Sequence, residues 1–139
     1  MSCRHLIVTV GLPASGKTTW ARKFVADHDP GEAVRANRDD LRRMLHGGWT
    51  GLPHLEAQVT AVQHAAIRAA FEHGARLVIV DDTNLVPAHR DALIGLAASL
   101  GAQARIEEFR DVPLGTCLGR NALRPVVEQI KALERVMEN

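Results

Sequence analysis

The feature that most constrains this chain is a glycine-rich segment at residues 11–18, which reads GLPASGKT and fits the pattern G-x-x-x-x-G-K-[ST]. An apolar, β-rich run at residues 5–10 precedes the segment, and apolar side chains at helical spacing follow it at residues 18–27. Glycines in such a turn allow successive backbone N–H groups to point at an anion, and the N-terminus of the following helix adds its positive end. Residues 11–18, named the phosphate loop below, therefore predict a site for a nucleoside triphosphate.

Each part of the phosphate loop has an expected chemical role. Lys17 can reach the β- and γ-phosphates, and the Thr18 hydroxyl can ligate Mg²⁺. The residues expected to bind the triphosphate through this loop are Gly11, Ala14, Ser15, Gly16, Lys17, Thr18 and Thr19.

Strand and helix signals alternate along the whole chain. Strands are predicted at residues 5–10, 33–36, 76–81 and 103–109, and helices at about 18–27, 39–46, 54–73, 87–100, 113–121 and 126–138. Strands that alternate with helices pair in parallel, so the pattern predicts an α/β fold: a three-layer sandwich with a mainly parallel sheet and helices on both faces. No linker is visible in the sequence, and residues 1–139 are expected to form one domain.

Composition excludes several classes of protein. With 46% apolar and 24% charged residues, the chain has a globular rather than a disordered balance. The formal charge of +1 excludes a strongly basic nucleic-acid coat, although a local basic groove is compatible with it. No apolar run approaches the ~20 residues needed to span a bilayer, and the chain begins without an export-signal layout. We therefore expect a cytoplasmic protein without a membrane partner.

The phosphate loop alone does not specify how the triphosphate is used. A GTPase needs an Asn-Lys-x-Asp motif to read guanine, and no lysine lies between Lys23 and Lys131. Motor and remodelling ATPases are usually much longer than this chain of 139 residues. The size favours a small phosphotransferase.

A charged segment at residues 37–42, NRDDLR, follows the second predicted strand, where sheets of this kind open a crevice. If Asn37 caps a helix that starts near Asp39, then Arg42 at i+3 lies on the same face as Asp39. Such a carboxylate can accept the proton of an attacking hydroxyl, and the guanidinium can hold an acceptor phosphate. A solvated, charged helix start without catalytic function explains the six residues equally well.

The third predicted strand ends in two carboxylates, Asp81 and Asp82. An acid at this place usually faces the Mg²⁺ ion and the hydroxyl of the phosphate loop, directly or through water. Spacing alone does not choose between the two residues.

Five motifs occur in one order along the chain: GLPASGKT at 11–18, NRDDLR at 37–42, DTNL at 82–85, FRDVP at 109–113 and RNALR at 120–124. Together they resemble the kinase module of the phage polynucleotide kinase family, a group of P-loop phosphotransferases. Members of that family transfer the γ-phosphate of ATP to the 5′-hydroxyl end of DNA or RNA. The phosphatase motif Asp-x-Asp-x-Thr of the best-known relatives is absent here, so no 3′-phosphatase activity is expected.

On the acceptor side, the resemblance implies that Asp39 is the general base and that Arg42 engages the phosphate following the acceptor nucleoside. It also implies that Asp82, rather than Asp81, is the essential strand-end acid, in contact with Mg²⁺ through water, with Thr83 beside it at the substrate.

On the donor side, the resemblance implies that Lys17 acts with Arg124, a lid arginine that clamps the donor phosphates, and that Arg120 makes a second contact. The lid is expected at about residues 113–127. Arg124 is followed at once by Pro125, whereas relatives carry several residues at this point, so a shorter lid is one reading of the sequence.

The sequence therefore predicts an ATP- and Mg²⁺-dependent kinase of 5′-hydroxyl ends, with single-stranded or end-exposed DNA or RNA as its partner. Two alternatives stay open. One is a P-loop kinase for a small metabolite or nucleoside, and the other is a non-catalytic, nucleotide-dependent binding module.

Overall fold

The computed structural model describes residues 3–13 and 15–109. Strands and helices alternate in the predicted order: β1 (His5–Gly11), α1 (Lys17–Ala26), β2 (Ala33–Arg35), α2 (Arg38–His46), α3 (Pro53–Glu72), β3 (Leu77–Val80), α4 (Pro87–Ser99) and β4 (Gln103–Phe109). The helices predicted at 113–121 and 126–138 lie outside the described residues.

The four described strands form one parallel sheet in the order β2-β3-β1-β4. The strand that leads into the phosphate loop, β1, is central and pairs with β3 on one side and β4 on the other. Parallel strands covered on both faces are expected to be almost continuously apolar, and six of the seven residues of β1 are buried. The predicted α/β fold with a parallel sheet is confirmed.

The two faces of the sheet are covered by different helices. Because strand side chains alternate, Leu6, Val8, Val78 and Val80 all point to one face, where they pack with residues of α3 and α4. Ile7 and Ile79 point to the other face, where they meet Ala21 of α1. Side chains continue to alternate between the two faces past the end of β3, so Asp81 and Asp82 belong to opposite faces of the sheet.

The chain leaves the two middle strands toward opposite faces. The connection after β1 enters α1 on one face, and the connection after β3 enters α4 on the other. In open parallel sheets, such a divergence at the carboxyl ends of neighbouring strands opens the crevice in which ligands bind. The phosphate loop and the acidic residues after Val80 both lie at this edge.

Helix starts follow local sequence rules. Proline occupies the first position of α3 and of α4, where its missing N–H costs no helical hydrogen bond. Gly47 ends α2 with φ 74°, a left-handed conformation that favours glycine. None of the helices in residues 3–13 and 15–109 is long and apolar enough to cross a membrane.

Candidate active site

The phosphate loop is folded tightly onto the ends of β3 and β4. Gly16 has φ 100°, which an L side chain rarely adopts. A Cβ atom on Gly11 would lie 2.9 Å from Cβ of Phe109 and 2.9 Å from Oγ of Ser15, so only glycine fits there. The backbone N–H of Gly11 donates to the carbonyl of Thr83 at 3.0 Å, which ties the loop to the chain just after β3.

The amino end of α1 has the features of an anion site. Its N-cap, Gly16, offers no side-chain hydrogen bond, and its first turn contains no acidic residue. The N–H groups of a first turn have no helical acceptor and carry the positive end of the helix dipole. Thr18 is partly exposed in this turn and Thr19 is exposed, so the Thr18 hydroxyl can reach a ligand.

Lys17 is the cation of the loop and is only 5% exposed. Its ammonium donates to the carbonyl of Leu12 at 2.5 Å and to Oγ of Ser15 at 3.2 Å. The side chain thus lies folded over the loop, where a buried charge interacts strongly with a phosphate.

An asparagine joins the two middle strands beneath the loop. Asn84 is buried with φ 46°, and its amide donates to the carbonyls of Thr9 at 2.9 Å and Val80 at 3.2 Å. The Thr9 hydroxyl donates in turn to the carbonyl of Asp82 at 2.8 Å. Asparagine is one of the few residues that adopts a left-handed conformation readily, and here it fixes the edge of the sheet on which the site is built.

The amino end of α2 is capped as the sequence predicts. Asn37 has extended backbone angles, and its side-chain oxygen accepts the N–H of Asp40 at 2.9 Å. Its amide group donates to the carbonyl of Asp81 at 3.3 Å. The cap therefore also ties α2 to the end of β3.

Asp82 provides a second acceptor for the amino end of α2. One carboxylate oxygen accepts the N–H of Arg38 at 2.8 Å, and the other accepts the amide of Gln63 at 2.7 Å. Gln63 is buried in α3 and donates to the carbonyl of Ala36 at 2.8 Å as well. Burial raises the pKa of Asp82 to about 6, and the nearby Asp81 carboxylate adds to the rise, while the two hydrogen bonds and the charge of Arg38 oppose it.

Asp81 points to the opposite face from Asp82. One of its oxygens accepts two hydrogen bonds from Arg35, at 2.9 and 2.7 Å. Arg35 pairs in register with Ile79, which belongs to the α1 face. The other oxygen of Asp81, Oδ1, is buried without a hydrogen-bond partner among the described residues.

This geometry differs from the assignment that the resemblance implies. Both oxygens of Asp82 are engaged by α2 and α3, and its side chain is directed away from the face of α1. Asp81 is the acid on the face that carries Thr18. The reason is the period of two along a strand, which places neighbouring residues on opposite faces.

Asp39 and Arg42 lie together on α2 as predicted. Nη1 of Arg42 donates to Oδ1 of Asp39 at 2.6 Å, and the side chain of Asp39 is 45% exposed. Arg42 also donates through Nε and Nη2 to the two oxygens of Glu56, at 2.8 and 2.7 Å.

Burial lowers the pKa of Arg42, but the hydrogen bonds and charges of Glu56 and Asp39 outweigh burial, and the net pKa is raised. Burial raises the pKa of Glu56, but Arg42 and Arg38 outweigh it and the net pKa is lowered.

The two tryptophans have different surroundings. Trp20 packs against Phe24 and Phe109, with ring centroids 5.4 and 5.6 Å apart, as expected for a core residue. Trp49 lies in the glycine-rich loop after α2, and its ring centroid is 5.1 Å from Cζ of Arg42. One face of the indole thus contacts a cation rather than remaining open for a base.

Three residues of α3 that contact the site were not predicted from the sequence. Glu56, Thr60 and Gln63 follow one another at i, i+4 and i+7 on α3, and each bonds a residue of the site or a neighbour of one. The helix was recognised from its apolar stripe, and the parallel polar stripe was the signal that could have identified these three residues.

Part of the predicted site lies outside the described residues. These predictions are Ala14 of the loop, the lid at about 113–127, and Arg120 and Arg124 within that lid. They stay predictions.

The donors present fit a Mg²⁺ ion that is shared with phosphates. Residues 3–13 and 15–109 contain no group of three or more His, Cys, Asp or Glu side chains that could hold a metal alone. Magnesium usually binds through one or two protein oxygens together with substrate phosphates and water. The Thr18 hydroxyl and the unpartnered Oδ1 of Asp81, on the same face of the sheet, are oxygen donors of this kind.

Solved structures with the same fold include three informative chains. A chain of a Pnkp1/Rnl/Hen1 complex is 28% identical with a TM-score of 0.74, over 86% of this chain and 40% of that chain. A chain of the Pnkp1/Rnl/Hen1 RNA repair complex is 24% identical with a TM-score of 0.75, over 99% and 46%. The Mycobacterium tuberculosis APS kinase CysC in complex with AMPPNP and APS is 21% identical with a TM-score of 0.66, over 100% and 78%.

This chain spans less than half the length of the two Pnkp1/Rnl/Hen1 chains that it matches. The sequence profile of a family described as "AAA domain" matches residues 6–139, which include the phosphate loop, both acidic strand-end residues and α2. The chain therefore belongs to this AAA domain family and has the α/β fold of a P-loop kinase.

Proposed function

We propose that the protein is an ATP- and Mg²⁺-dependent kinase of 5′-hydroxyl ends of DNA or RNA. The observation that carries this proposal is the position of the Asp39–Arg42 pair. The pair lies in the first turns of α2, whose amino end is bonded to Asp81 and Asp82. The next residue, Thr83, bonds Gly11 of the phosphate loop, so a base and a cation stand on the same framework as the donor site.

The donor side would bind ATP through the phosphate loop. The first turn of α1, which has no side-chain cap, and the ammonium of Lys17 would supply positive charge where the transferring phosphoryl group spreads negative charge. Bound Mg²⁺ supplies charge neutralisation for the phosphates. Thr18 and Asp81 would hold it, with Asp81 taking the place that the resemblance implies for Asp82. Arg120 and Arg124 are proposed to close over the phosphates.

The acceptor side would position a terminal hydroxyl against Asp39. Its half-exposed carboxylate can take the proton of the hydroxyl as the hydroxyl oxygen bonds to the γ-phosphorus and ADP leaves. Arg42 would hold the phosphate that follows the acceptor nucleoside. Positioning and charge suffice for such an in-line transfer, and no covalent intermediate on the protein is needed.

Similarity supports a nucleic-acid acceptor. The Pnkp1/Rnl/Hen1 chain at 28% identity matches 86% of this chain, and the second such chain, at 24% identity, comes from a complex described as an RNA repair complex.

The test is transfer of labelled γ-phosphate from ATP to matched 5′-hydroxyl DNA and RNA oligomers, beside a panel of free nucleosides. We expect labelled oligomers. In Asp39→Asn, kcat is expected to fall by about 10²–10⁴-fold, and ATP binding should be retained. The control is Asp29→Asn, at an exposed residue between α1 and β2, which should leave kcat unchanged.

Labelling of nucleosides alone would replace the proposal by the small-metabolite kinase. Full turnover in Asp39→Asn would remove Asp39 from the mechanism. ATP binding without any transfer would leave a nucleotide-dependent binding module.

A further inference from the structure

Three of the five N–H groups of Arg42 are already donated. Nε and Nη2 form one edge of the guanidinium, and this edge meets the two oxygens of Glu56 side by side. Nη1 donates a single hydrogen bond to Asp39. A guanidinium has one N–H on Nε and two on each Nη. One N–H on each Nη therefore has no acceptor within residues 3–13 and 15–109.

Glu56 is itself fixed and does not simply follow Arg42. Nη2 of Arg38 lies 3.3 Å from both its carboxylate and its backbone carbonyl. Nη1 of Arg38 donates to the Thr60 hydroxyl at 2.7 Å, and that hydroxyl donates to the carbonyl of Glu56 at 3.1 Å. The carboxylate is only 20% exposed. The carboxylate of Glu56 is thus held by Arg38 as well as by Arg42, both on α2.

Trp49 restrains the same guanidinium from its flat side. Its ring lies 5.1 Å from Cζ of Arg42, a distance at which cation and ring attract each other. With Glu56 on one edge, Asp39 at one nitrogen and Trp49 on one face, Arg42 has little rotational freedom, and its side chain is 15% exposed.

We propose that Glu56 and Trp49 are positioning residues that set the specificity for the acceptor by orienting Arg42. The inference rests on the proposed function, because the acceptor phosphate is the ligand of Arg42 there. The two remaining N–H groups, one on each Nη, are the donors presented to that phosphate.

Glu56 also keeps Arg42 from binding Asp39, the proposed base, through two donors at once. Without Glu56, the paired Nε and Nη2 donors could turn to Asp39, which lies one turn away on the same helix and already accepts a bond from Nη1. A bidentate arginine stabilises the ionised form of a carboxylate and so weakens it as a base. Removal of Glu56 should harm acceptor binding and proton transfer together, and it should leave the ATP site intact.

The experiment compares Glu56→Ala and Glu56→Gln with wild type on three acceptors: a 5′-hydroxyl oligomer, a nucleoside 3′-phosphate and a free nucleoside. In Glu56→Ala, we expect KM for both phosphate-bearing acceptors to rise at least about ten-fold, or about 1.4 kcal/mol. The pH profile of kcat should move to lower pH, and KM for ATP should not change. Glu56→Gln, which keeps the size of the side chain, should fall between wild type and Glu56→Ala.

Glu72→Ala is the matched control, since Glu72 is an exposed glutamate in the last turn of the same helix. It is expected to leave all three KM values unchanged. An unchanged or lower KM for phosphate-bearing acceptors in Glu56→Ala would overturn the inference, since Glu56 would then be inert or a competitor of the phosphate.

A second readout needs no turnover. In a Trp20→Phe background, Trp49 is the remaining tryptophan, and its emission reports the guanidinium on its ring. Glu56→Ala should change that emission and Glu72→Ala should not; an unchanged emission in Glu56→Ala would overturn the positioning role. If wild type labels no oligomer, the proposed function fails, and the emission still tests whether Glu56 positions Arg42.

Discussion

The amino ends of α1 and α2 lie at the same edge of the sheet but have opposite surroundings. The first turn of α1 has a glycine N-cap, no side-chain cap and no acidic residue. The first turn of α2 is capped by Asn37, donates a hydrogen bond from the N–H of Arg38 to Asp82, and contains Asp39 and Asp40. Both helices have the same positive dipole end, which is left open in α1 and neutralised from within in α2.

The difference separates two chemical tasks. An open helix end attracts an external anion, as the donor phosphates require. A capped end has a different consequence: the Asn37 cap and the bond to Asp82 hold the backbone of the first turn in one place. The carboxylate of Asp39 is thus carried by a rigid helix start whose amino end bonds Asp81 and Asp82.

The largest effect expected at the open end concerns its cation, Lys17. Lys17→Met should lower kcat by about 10²–10³-fold, because charge would no longer be stabilised at the transferring phosphate. Steady-state kinetics with ATP and an acceptor oligomer provide the measurement. Lys23→Met, at an exposed lysine in the last turn of the same helix, serves as the control. Equal losses in both variants would contradict a specific role for Lys17.

The next effect concerns the support of the capped end. Gln63→Leu leaves the carbonyl of Ala36 and one oxygen of Asp82 without their donor. Two unsatisfied buried acceptors, one of them charged, should lower the free energy of unfolding by about 4 kcal/mol, measured by urea denaturation. Gln58→Leu, at an exposed glutamine of the same helix, should change it by less than about 0.5 kcal/mol. A small effect at Gln63 would mean that α2 is held by other contacts.

The capped end also predicts a dependence on pH. The pKa of Asp82 is raised from its ordinary value of 3.8 to about 6, so between these values the native state binds a proton that the unfolded chain has released. The contribution of Asp82 to the free energy of unfolding therefore falls as pH rises from about 4 to about 6, by at most about 3 kcal/mol. The test is urea denaturation of wild type and Asp82→Asn at pH 4, 5, 6 and 7. The free energy of unfolding of wild type minus that of Asp82→Asn should decline between pH 4 and pH 6. A difference that does not change with pH would exclude the raised pKa.

The smallest expected effect concerns the two hydrogen bonds of the Asn37 side chain, which two substitutions can distinguish. Asn37→Ala should lower the free energy of unfolding by about 1 kcal/mol through loss of the bond from Asp40. Asn37→Asp keeps that bond and loses the one to the carbonyl of Asp81, so it should cost less. Thermal denaturation of both variants measures the difference, and a larger cost for Asn37→Asp would make the bond to Asp81 the more important one.

Much of the framework could be predicted because it depends on local rules. The order of strands and helices follows from apolar periodicity, and the cap at Asn37 and the side-by-side position of Asp39 and Arg42 follow from helical spacing. The partners of these residues could not be predicted in the same way. Glu56 lies fourteen positions from Arg42, and Gln63 lies nineteen from Asp82, and no periodicity links positions on two different elements.

The sequence by itself determined the phosphate loop, the alternating α/β order and the face of α2 that carries Asp39 and Arg42, since each depends on neighbours within one or two turns of chain. Only the tertiary structure decided that Asp81 faces α1 while Asp82 supports α2, and that Glu56 holds Arg42. Those outcomes depend on which face of β3 each helix covers and on how α3 packs against α2, which are set by the burial of the whole apolar core.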